Sequence, residues 1–451
     1  MDGEPVGGIG PFREDYATAT SNKFRLFDDL QVDDSQEDVT RLEIKTQSNL
    51  DTDTTYEFFI PPSAYDYCDL SRLKIKGKLK VRKINNTDKK EADLAEADDG
   101  NVGIVNCAAD SLFKLVSLKV QNTEVTDLSS YKYHYKAYVE KLLSYSPDVK
   151  ASWLKETALW TEDTPGQEDK TAAANEGWTT RATWVNQSRE VEFCFRPHID
   201  ILRCGKLLPN GIGMKLTLYR NDDGVTLMSP AAGITGHTLR VKVTELTVEA
   251  VYVRLKEVIC EHHAKMMTKK PATVRFPFAR LTHHDIPANS AGVVTRTLHI
   301  GSLPQLVLLF FAQPTLEWSG AANPFNFTSQ GLTRLYFRLN GKLLDPSVDS
   351  DNYKDKTLNR YIDLVETLNL NDHFHTVGYS LAHFKHGAFF VALDLTRCCA
   401  NYVAHPQQVG NLDVSVQFET PPAGTLQMLT YSVFRAEIRV DAERNVAFDL
   451  P

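Results

Sequence analysis

The sequence predicts an all-β chain built from two consecutive antiparallel domains of the β-sandwich or jelly-roll kind. Its strands are many and short, its turns contain Asn, Gly or Pro, and each half holds one convincing helix. The two halves also share one order of elements, although few residues are identical between them. The repeat pairs the strand and turn at 112–123 with those at 332–341, and the helix at 135–143 with the helix at 360–368. A duplicated β domain is typical of a building block more than of a catalyst.

Composition narrows the class of protein. The chain has 451 residues, of which 42% are hydrophobic and 24% charged, as expected for a globular protein with two or three full cores. No apolar run reaches the 18 residues of a membrane-spanning helix, and we expect no secretory signal. The net charge of −8 argues against a protein whose whole surface binds nucleic acid, because phosphate contact needs a concentrated positive field.

The first domain is predicted at residues 46–258, after a mobile N-terminal arm at residues 1–45 that is acidic and lacks a sustained hydrophobic period. A strand over 56–60 is stopped by Pro61 and Pro62. The next strand, over 73–81, alternates apolar residues with lysines and is therefore half-buried. Gly77 within it indicates a bulge or a crowded approach of another chain segment. A long strand over 239–255 ends the domain.

The second domain is predicted at residues 259–451, and its strands include 306–312, 389–393, 412–418 and 430–440. The run 306–312 is continuously apolar, which indicates a strand buried on both faces. Two polar loops of the first domain, 83–101 and 155–182, are long for a compact fold. Loops of this length at the ends of a sandwich are expected to form towers or clasps between subunits.

A search for catalytic and metal-binding patterns finds little. His373 and His375 alternate on a strand and form the best metal candidate, but no carboxylate follows at the spacing that a cupin-type site needs. Neither a GxSxG elbow nor a phosphate-binding glycine loop is present. We therefore predict no enzymatic activity and no cofactor. The seven cysteines lack CxxC spacing and are expected to be reduced thiols; they are Cys68, Cys107, Cys194, Cys204, Cys260, Cys398 and Cys399.

Two groups of residues remain as candidate surfaces. Tyrosine and tryptophan side chains cluster around the first helix, where they could form an assembly interface between subunits or pack inside the domain; they are Tyr131, Tyr133, Tyr135, Tyr138, Trp153 and Trp160. A basic segment contains Lys265, Lys269, Lys270 and Arg275. It could be a solvated linker between the domains or an inner face that touches packaged DNA or an acidic partner.

Short motifs in fixed order resemble the major capsid proteins of Polinton/Maverick elements and of polinton-like or adinto-type double-stranded DNA viruses. The most specific is Asn-Pro-Phe-Asn-Phe at 323–327, and the aromatic helix at 135–143 is similar to that family's helix motif. Further matching runs are 67–71, 111–113, 175–177, 197–201, 207–211, 394–396 and 410–412. The resemblance covers roughly residues 50–447. Cys398 and Cys399 and the acidic loop at 88–99 depart from the family pattern.

The resemblance implies two consecutive eight-stranded jelly rolls with short helices in the long loops. It further implies a viral major capsid protein that forms pseudo-hexameric homotrimers and tiles an icosahedral shell around a double-stranded DNA genome. The implied partners are other copies of the chain, penton and minor capsid proteins, and packaged DNA. The implied location is the virion, after synthesis and assembly inside the host cell. A carbohydrate- or receptor-binding β-sandwich is the alternative, and a metal-dependent cupin-like enzyme is a third class.

Overall fold

The computed structural model describes residues 35–230, 234, 236–317, 320–344, 357–370, 377–396 and 408–449. The strands of the first half are β1 Gln36–Lys45, β2 Thr55–Ile60, β3 Tyr67–Asp69, β4 Lys74–Asn85, β5 Glu91–Asp93, β6 Phe113–Val120, β7 Thr123–Glu124, β8 Val191–Phe195, β9 Leu207–Leu208, β10 Met214–Arg220 and β11 His237–Leu255. Those of the second half are β12 Ala272–Ile286, β13 Val294–Ser302, β14 Leu306–Ala312, β15 Leu332–Leu339, β16 Lys342–Leu343, β17 Val391–Asp394, β18 Val409–Phe418, β19 Leu426–Val440 and β20 Val446–Asp449.

The helices are short and lie in the connections between strands. They are α1 Ala108–Ser111, α2 Tyr133–Ser144, α3 Pro147–Val149, α4 Lys155–Thr157, α5 Glu176–Val185, α6 Asp223–Thr226, α7 Glu257–Met267, α8 Pro314–Glu317, α9 Thr357–Thr367 and α10 Leu381–Lys385. Helices α2 and α9 occupy the positions predicted from the sequence. Within the described residues, every helix is too short or too polar to cross a membrane.

The two halves share one sheet topology. In the first half the strands pair as β1-β11-β4-β8 in one sheet, with β3 continuing the line of β4, and as β2-β10-β6-β7 in the other. In the second half the orders are β12-β19-β14-β17 and β13-β18-β15-β16. If β3 and β4 are counted as one strand and the short strands β5, β9 and β20 are left out, each half has eight strands. In both halves these eight pair in the order 1-8-3-6 in one sheet and 2-7-4-5 in the other, and all of these pairs are antiparallel. The predicted fold class, a double jelly roll, is confirmed.

Strand β1 corrects one expectation. Residues 36–45 were assigned to the mobile arm, but they pair along the outer edge of β11, from Gln36 opposite Leu255 to Lys45 opposite Thr247. Nearly all of their side chains are exposed, so the strand lacks the one-sided apolar pattern that marks a buried strand. Residues 1–34 of the predicted arm lie outside the described part of the chain.

The predicted lysine-edged strand is β4. Ile75, Leu79 and Val81 are buried, whereas the intervening lysines face solvent and pair with carboxylates. Lys76 lies 2.5 Å from Glu249 on β11 and 2.7 Å from Glu43 on β1, so one ammonium group joins three strands. These two carboxylates raise the pKa of Lys76 above its ordinary value. The ion pairs offset the repulsion between Glu43 and Glu249, which are directly opposite each other.

Gly77 lies where the sheet register shifts. Val243 faces Leu79 and Glu245 faces Lys78, so Thr244 is the extra residue of a bulge in β11. A Cβ atom on Gly77 would lie 2.6 Å from the Glu245 carbonyl oxygen and 2.6 Å from the Phe193 ring. The predicted crowded approach is thus present, and only glycine fits it without movement of the backbone.

The two sandwiches stand side by side in the same orientation. We call one end the turn end; it holds the short connections 61–66, 121–122, 303–305 and 340–341, together with α7. At this end Thr123 of the first half donates a hydrogen bond to the Val446 carbonyl at 2.7 Å. All the other helices lie in connections that leave from the opposite end, which we call the loop end. There Asn323 of the second half bonds Asp163 of the first at 2.9 Å.

Helix α7 occupies residues that the sequence analysis assigned to a linker, and it packs Ile259 and Cys260 against Val253 and Leu255. The last strand of the first half ends at Leu255 and the first strand of the second begins at Ala272. The division of the chain at 258/259 falls inside this helix and stays a prediction.

Candidate assembly surfaces and the junction between the halves

The aromatic cluster predicted around the first helix lies mainly between the two halves of one chain. Tyr133, Tyr135, Tyr138 and Trp160 are 7%, 0%, 8% and 1% exposed. Side chains buried this deeply within one chain cannot contact another subunit, so these four are wrong as members of an assembly interface. The alternative, packing inside the chain, applies to them. Tyr131 and Trp153 are each 58% exposed and remain candidates for contact with a partner.

The Asn-Pro-Phe-Asn-Phe motif supplies the other side of this junction. The Phe325 ring stacks on Tyr138, with centroids 4.3 Å apart and planes 5° apart, and meets Tyr135 edge-on at 5.9 Å. Asn323 places the motif, because its backbone N–H donates to Asp169 at 3.0 Å and its amide donates to Asp163 at 2.9 Å. The motif that carried the strongest sequence resemblance therefore fastens the second half onto the long loop of the first.

Charged residues of α2 extend the junction into a buried polar network. Glu140 accepts a hydrogen bond from the Tyr431 hydroxyl of β19 at 3.0 Å, and it lies 2.7 Å from both His198 and Arg203. Burial alone would raise the pKa of Glu140, but the charges of Arg203 and Lys136 outweigh burial and hold the pKa below its ordinary value. The carboxylate therefore stays ionised inside the junction.

A second carboxylate, Asp200, completes this network. Lys136 lies 2.7 Å from Asp200, and its ammonium group also donates to the Ala279 carbonyl of β12 at 3.2 Å. The Ala279 N–H in turn donates to Asp200 at 3.0 Å. Burial raises the pKa of Asp200, despite the nearby Lys136. Each buried charge has a partner, which is the condition under which charged groups are tolerated in an interior.

At the loop end, Glu317 of α8 binds the start of α2. Its carboxylate lies 2.5 Å from Lys132 and 3.1 Å from His134, and both Glu317 and His134 are fully buried. Burial lowers the pKa of His134, although Glu317 acts against this shift. Sequence reasoning missed the ionic partners of Glu317 because Lys132 and His134 lie 185 and 183 positions away along the chain.

The predicted basic segment is exposed at the turn end. Lys265 lies on α7 and pairs with Glu261 at 3.3 Å, and Lys269 and Lys270 follow this helix. Arg275 lies on β12 and pairs with Glu437 at 2.6 Å. The segment is therefore partly helical and partly neutralised. Contact with packaged DNA stays a prediction.

The candidate metal residues divide between described and undescribed parts of the chain. His373 and His375 lie outside the described residues, as do Cys398 and Cys399. Within the described ranges, no three His, Cys, Asp or Glu side chains come together as a metal site would require. The five described cysteines are free thiols, and burial raises the pKa of Cys68 to about 12.

Outer faces of the sheets carry further exposed apolar side chains. Phe59 on β2 is 60% exposed, and Ile300 on β13 and Val409 on β18 are 81% and 74% exposed. Tyr65, in the connection between β2 and β3, is 75% exposed.

No protein-family model matches the chain. An uncharacterized protein of Caenorhabditis elegans, F54H12.2, is 24% identical over 360 residues, which cover 76% of this chain and 81% of that protein.

Solved structures match the fold over nearly the whole chain. A chain of the Sputnik virophage matches with a TM-score of 0.66 at 12% identity, covering 96% of this chain and 93% of that one. The mavirus major capsid protein matches with a TM-score of 0.54 at 10% identity, covering 100% and 96%. A chain of the PBCV-1 virus capsid matches with a TM-score of 0.58 at 10% identity, covering 94% and 99%. The chain therefore has the double jelly-roll fold of these viral capsid proteins.

Proposed function

We propose that the chain is a viral major capsid protein. Three copies would form a pseudo-hexagonal capsomer, and capsomers would tile an icosahedral shell around a double-stranded DNA genome. The observation that carries this proposal is the duplication. One chain presents two sandwiches of identical topology, side by side and in the same orientation, so three chains supply six similar lobes.

The junction between the halves supports this role. In the proposed shell, neighbouring subunits contact both lobes of the chain. The angle between the two lobes must therefore stay fixed. Three contacts between the halves fix that angle. They are the stacking of Phe325 on Tyr138, which we call the aromatic clasp, the hydrogen bond from Tyr431 to Glu140, and the pairing of Glu317 with His134. Interfaces between domains often allow motion, but paired buried charges and contacts between the long loops oppose it here.

In the proposed shell, penton and minor capsid proteins occupy positions that the trimers do not fill, and the chain resides in the virion after assembly in the host cell. The proposed role is structural. The loop end is the candidate for the outer surface of the shell, and the turn end is the candidate for its inner surface.

Light scattering on the purified full chain at micromolar concentration tests the proposal. A trimer has a mass of roughly 150 kDa, three times the 50.7 kDa of the chain. Negative-stain microscopy should then show hexagonal capsomers or closed particles. A monomer at every concentration up to about 100 μM, with no particles on the grid, would overturn the proposal.

A further inference from the structure

Within one chain, a surface of the first half packs against a different surface of the second half. Because the domain is duplicated, each half should carry its own copy of both surfaces. On the first half, the outer face of the β6–β7 hairpin is covered, and Leu115 and Ser117 are each 5% exposed there. The second half covers it with β12 and β20, since Leu115 and Phe278 line the same cavity and the Thr123 hydroxyl of β7 donates to the Val446 carbonyl of β20 at 2.7 Å. Phe276 and Phe278 of β12 are 3% and 2% exposed and belong to the apolar cluster of the first half.

The matching hairpin of the second half is β15–β16. In both hairpins a two-residue turn joins the strands, with Val120 opposite Thr123 in the first half and Leu339 opposite Lys342 in the second. Counting back from the turn, Arg334 and Tyr336 hold the positions of Leu115 and Ser117. In the described structure this outer face is open, since Arg334 and Arg338 are exposed and Leu344 at its end is 37% exposed.

The matching covering surface of the first half is β1. It is the outermost strand beside β11, as β12 is the outermost strand beside β19. Where β12 buries two phenylalanines on one face, β1 leaves an apolar side chain exposed on each of its faces, Leu42 by 36% on the face of the sheet core and Val39 by 41% on the other. Each half therefore has one hairpin face and one edge strand that can cover such a face. Within a single chain, only the hairpin of the first half is covered, by the edge of the second half. The hairpin of the second half and the edge of the first half stay open.

Charge complementarity identifies what fits the open pair. The β15–β16 hairpin, residues 332–344, contains Arg334, Arg338 and Lys342 and no acidic residue. The start of β1 presents Glu37 and Asp38, both exposed. Opposite charges of this kind set partner choice and register and speed association more than they add affinity.

We propose that β1 of one copy of this chain docks on the outer face of the β15–β16 hairpin of a second copy. The contact repeats between chains the arrangement that joins the halves within a chain. It is head-to-tail, and such contacts close into a ring when the rotation between units allows it. The inference rests on the proposed capsomer and names the surfaces that meet in it.

The proposed contact between chains is more polar than the contact within a chain. The reason is that the two surfaces differ in whether they are exposed to water before assembly. The intrachain surface with Phe276 and Phe278 is never exposed to solvent, so it can be apolar. A surface that must stay in water until assembly carries charges instead, which limits unspecific association.

Charge reversal on each surface tests the contact, with light scattering of the full chain at 1 to 10 μM as the readout. The first variant carries E37K and D38K, the second R334E and R338E, and the third all four changes. We expect each of the first two to raise the dissociation constant of the trimer at least about tenfold, because like charges then face each other. The third variant should restore assembly. K89E/K90E, which makes the same charge change as the second variant in an exposed loop at the other end, should leave assembly unchanged.

Cysteine pairs give a second measurement that does not depend on affinity. Mild oxidation of T40C/R338C should produce disulfide-linked dimers and trimers on non-reducing gels. T40C/K119C, which uses the corresponding position of the first hairpin, should remain monomeric, as should T40C alone.

The outcomes separate the inference from the proposed function. A wild-type trimer that tolerates both charge reversals and does not cross-link overturns the docking of β1 on β15–β16 and leaves the capsomer standing. A wild-type chain that stays monomeric overturns the capsomer and the interface together. Loss of assembly in both reversals with rescue in the combined variant supports the inference.

Discussion

Replacing Phe325 by alanine should weaken the attachment of the two halves more than any single change on the surface. The ring is 1% exposed, stacks on Tyr138 at 4.3 Å and meets Tyr135 edge-on at 5.9 Å. Truncation of a buried phenylalanine costs about 3–5 kcal/mol, part of which is the loss of aromatic pairs worth about 0.5–1.5 kcal/mol each. Since domains are stable by about 5–15 kcal/mol, this is a large fraction of the total.

Urea unfolding of the full chain, followed by tryptophan fluorescence, measures this loss. Limited trypsin digestion gives a second readout, because Lys265, Lys269 and Lys270 are exposed between the halves and should be cut faster when the clasp loosens. Phe59→Ala is the matched control, since this phenylalanine is 60% exposed and should change the free energy of unfolding by less than about 0.5 kcal/mol. If F325A and F59A unfold at the same urea concentration, the aromatic clasp does not stabilise the junction.

Three further predictions concern single sites. Gly77→Ala should destabilise the first sandwich by about 1–3 kcal/mol, because the new Cβ would lie 2.6 Å from the Glu245 carbonyl; Gly424→Ala, which meets nothing within 4 Å, should be neutral in the same urea titration. Glu140→Gln should cost about 1.5–3 kcal/mol at pH 7, because His198 and the partly exposed Arg203 lose their charged hydrogen-bond partner while Lys136 keeps Asp200, whereas Glu96→Gln at an exposed site should cost nothing measurable. Burial lowers the pKa of His299 to about 4 from an ordinary 6.5, so the folded chain resists its protonation. The contribution of His299 to the free energy of unfolding should therefore be fully present above pH 6.5. It should fall by roughly 3 kcal/mol as the pH drops towards 4. Unfolding curves of His299→Gln should lack that part of the pH dependence, and an unchanged pH profile would contradict the assignment.

The fold class and most of the strands can be predicted from local patterns in the amino-acid sequence. These patterns are local. A strand that is buried on one face shows apolar residues at every second position, as Ile75, Leu79 and Val81 do between lysines. A strand that is buried on both faces shows a continuous apolar run, as residues 306–312 do. The crowded position of Gly77 was readable for the same reason. Both helices of the repeat also lie where their spacing predicted them.

The places where these elements meet follow from the packing of the whole chain and have no local signal. Strand β1 was missed because its side chains are exposed on both faces, so it has no amphipathic period and is held by backbone pairing with β11. The tyrosines of α2 looked equally suited to a subunit interface and to a core, since their composition is the same in both. Their burial against Phe325, and the pairing of Glu140 with Tyr431, depend on loops that are far apart in the chain and are brought together only when the two sandwiches pack side by side.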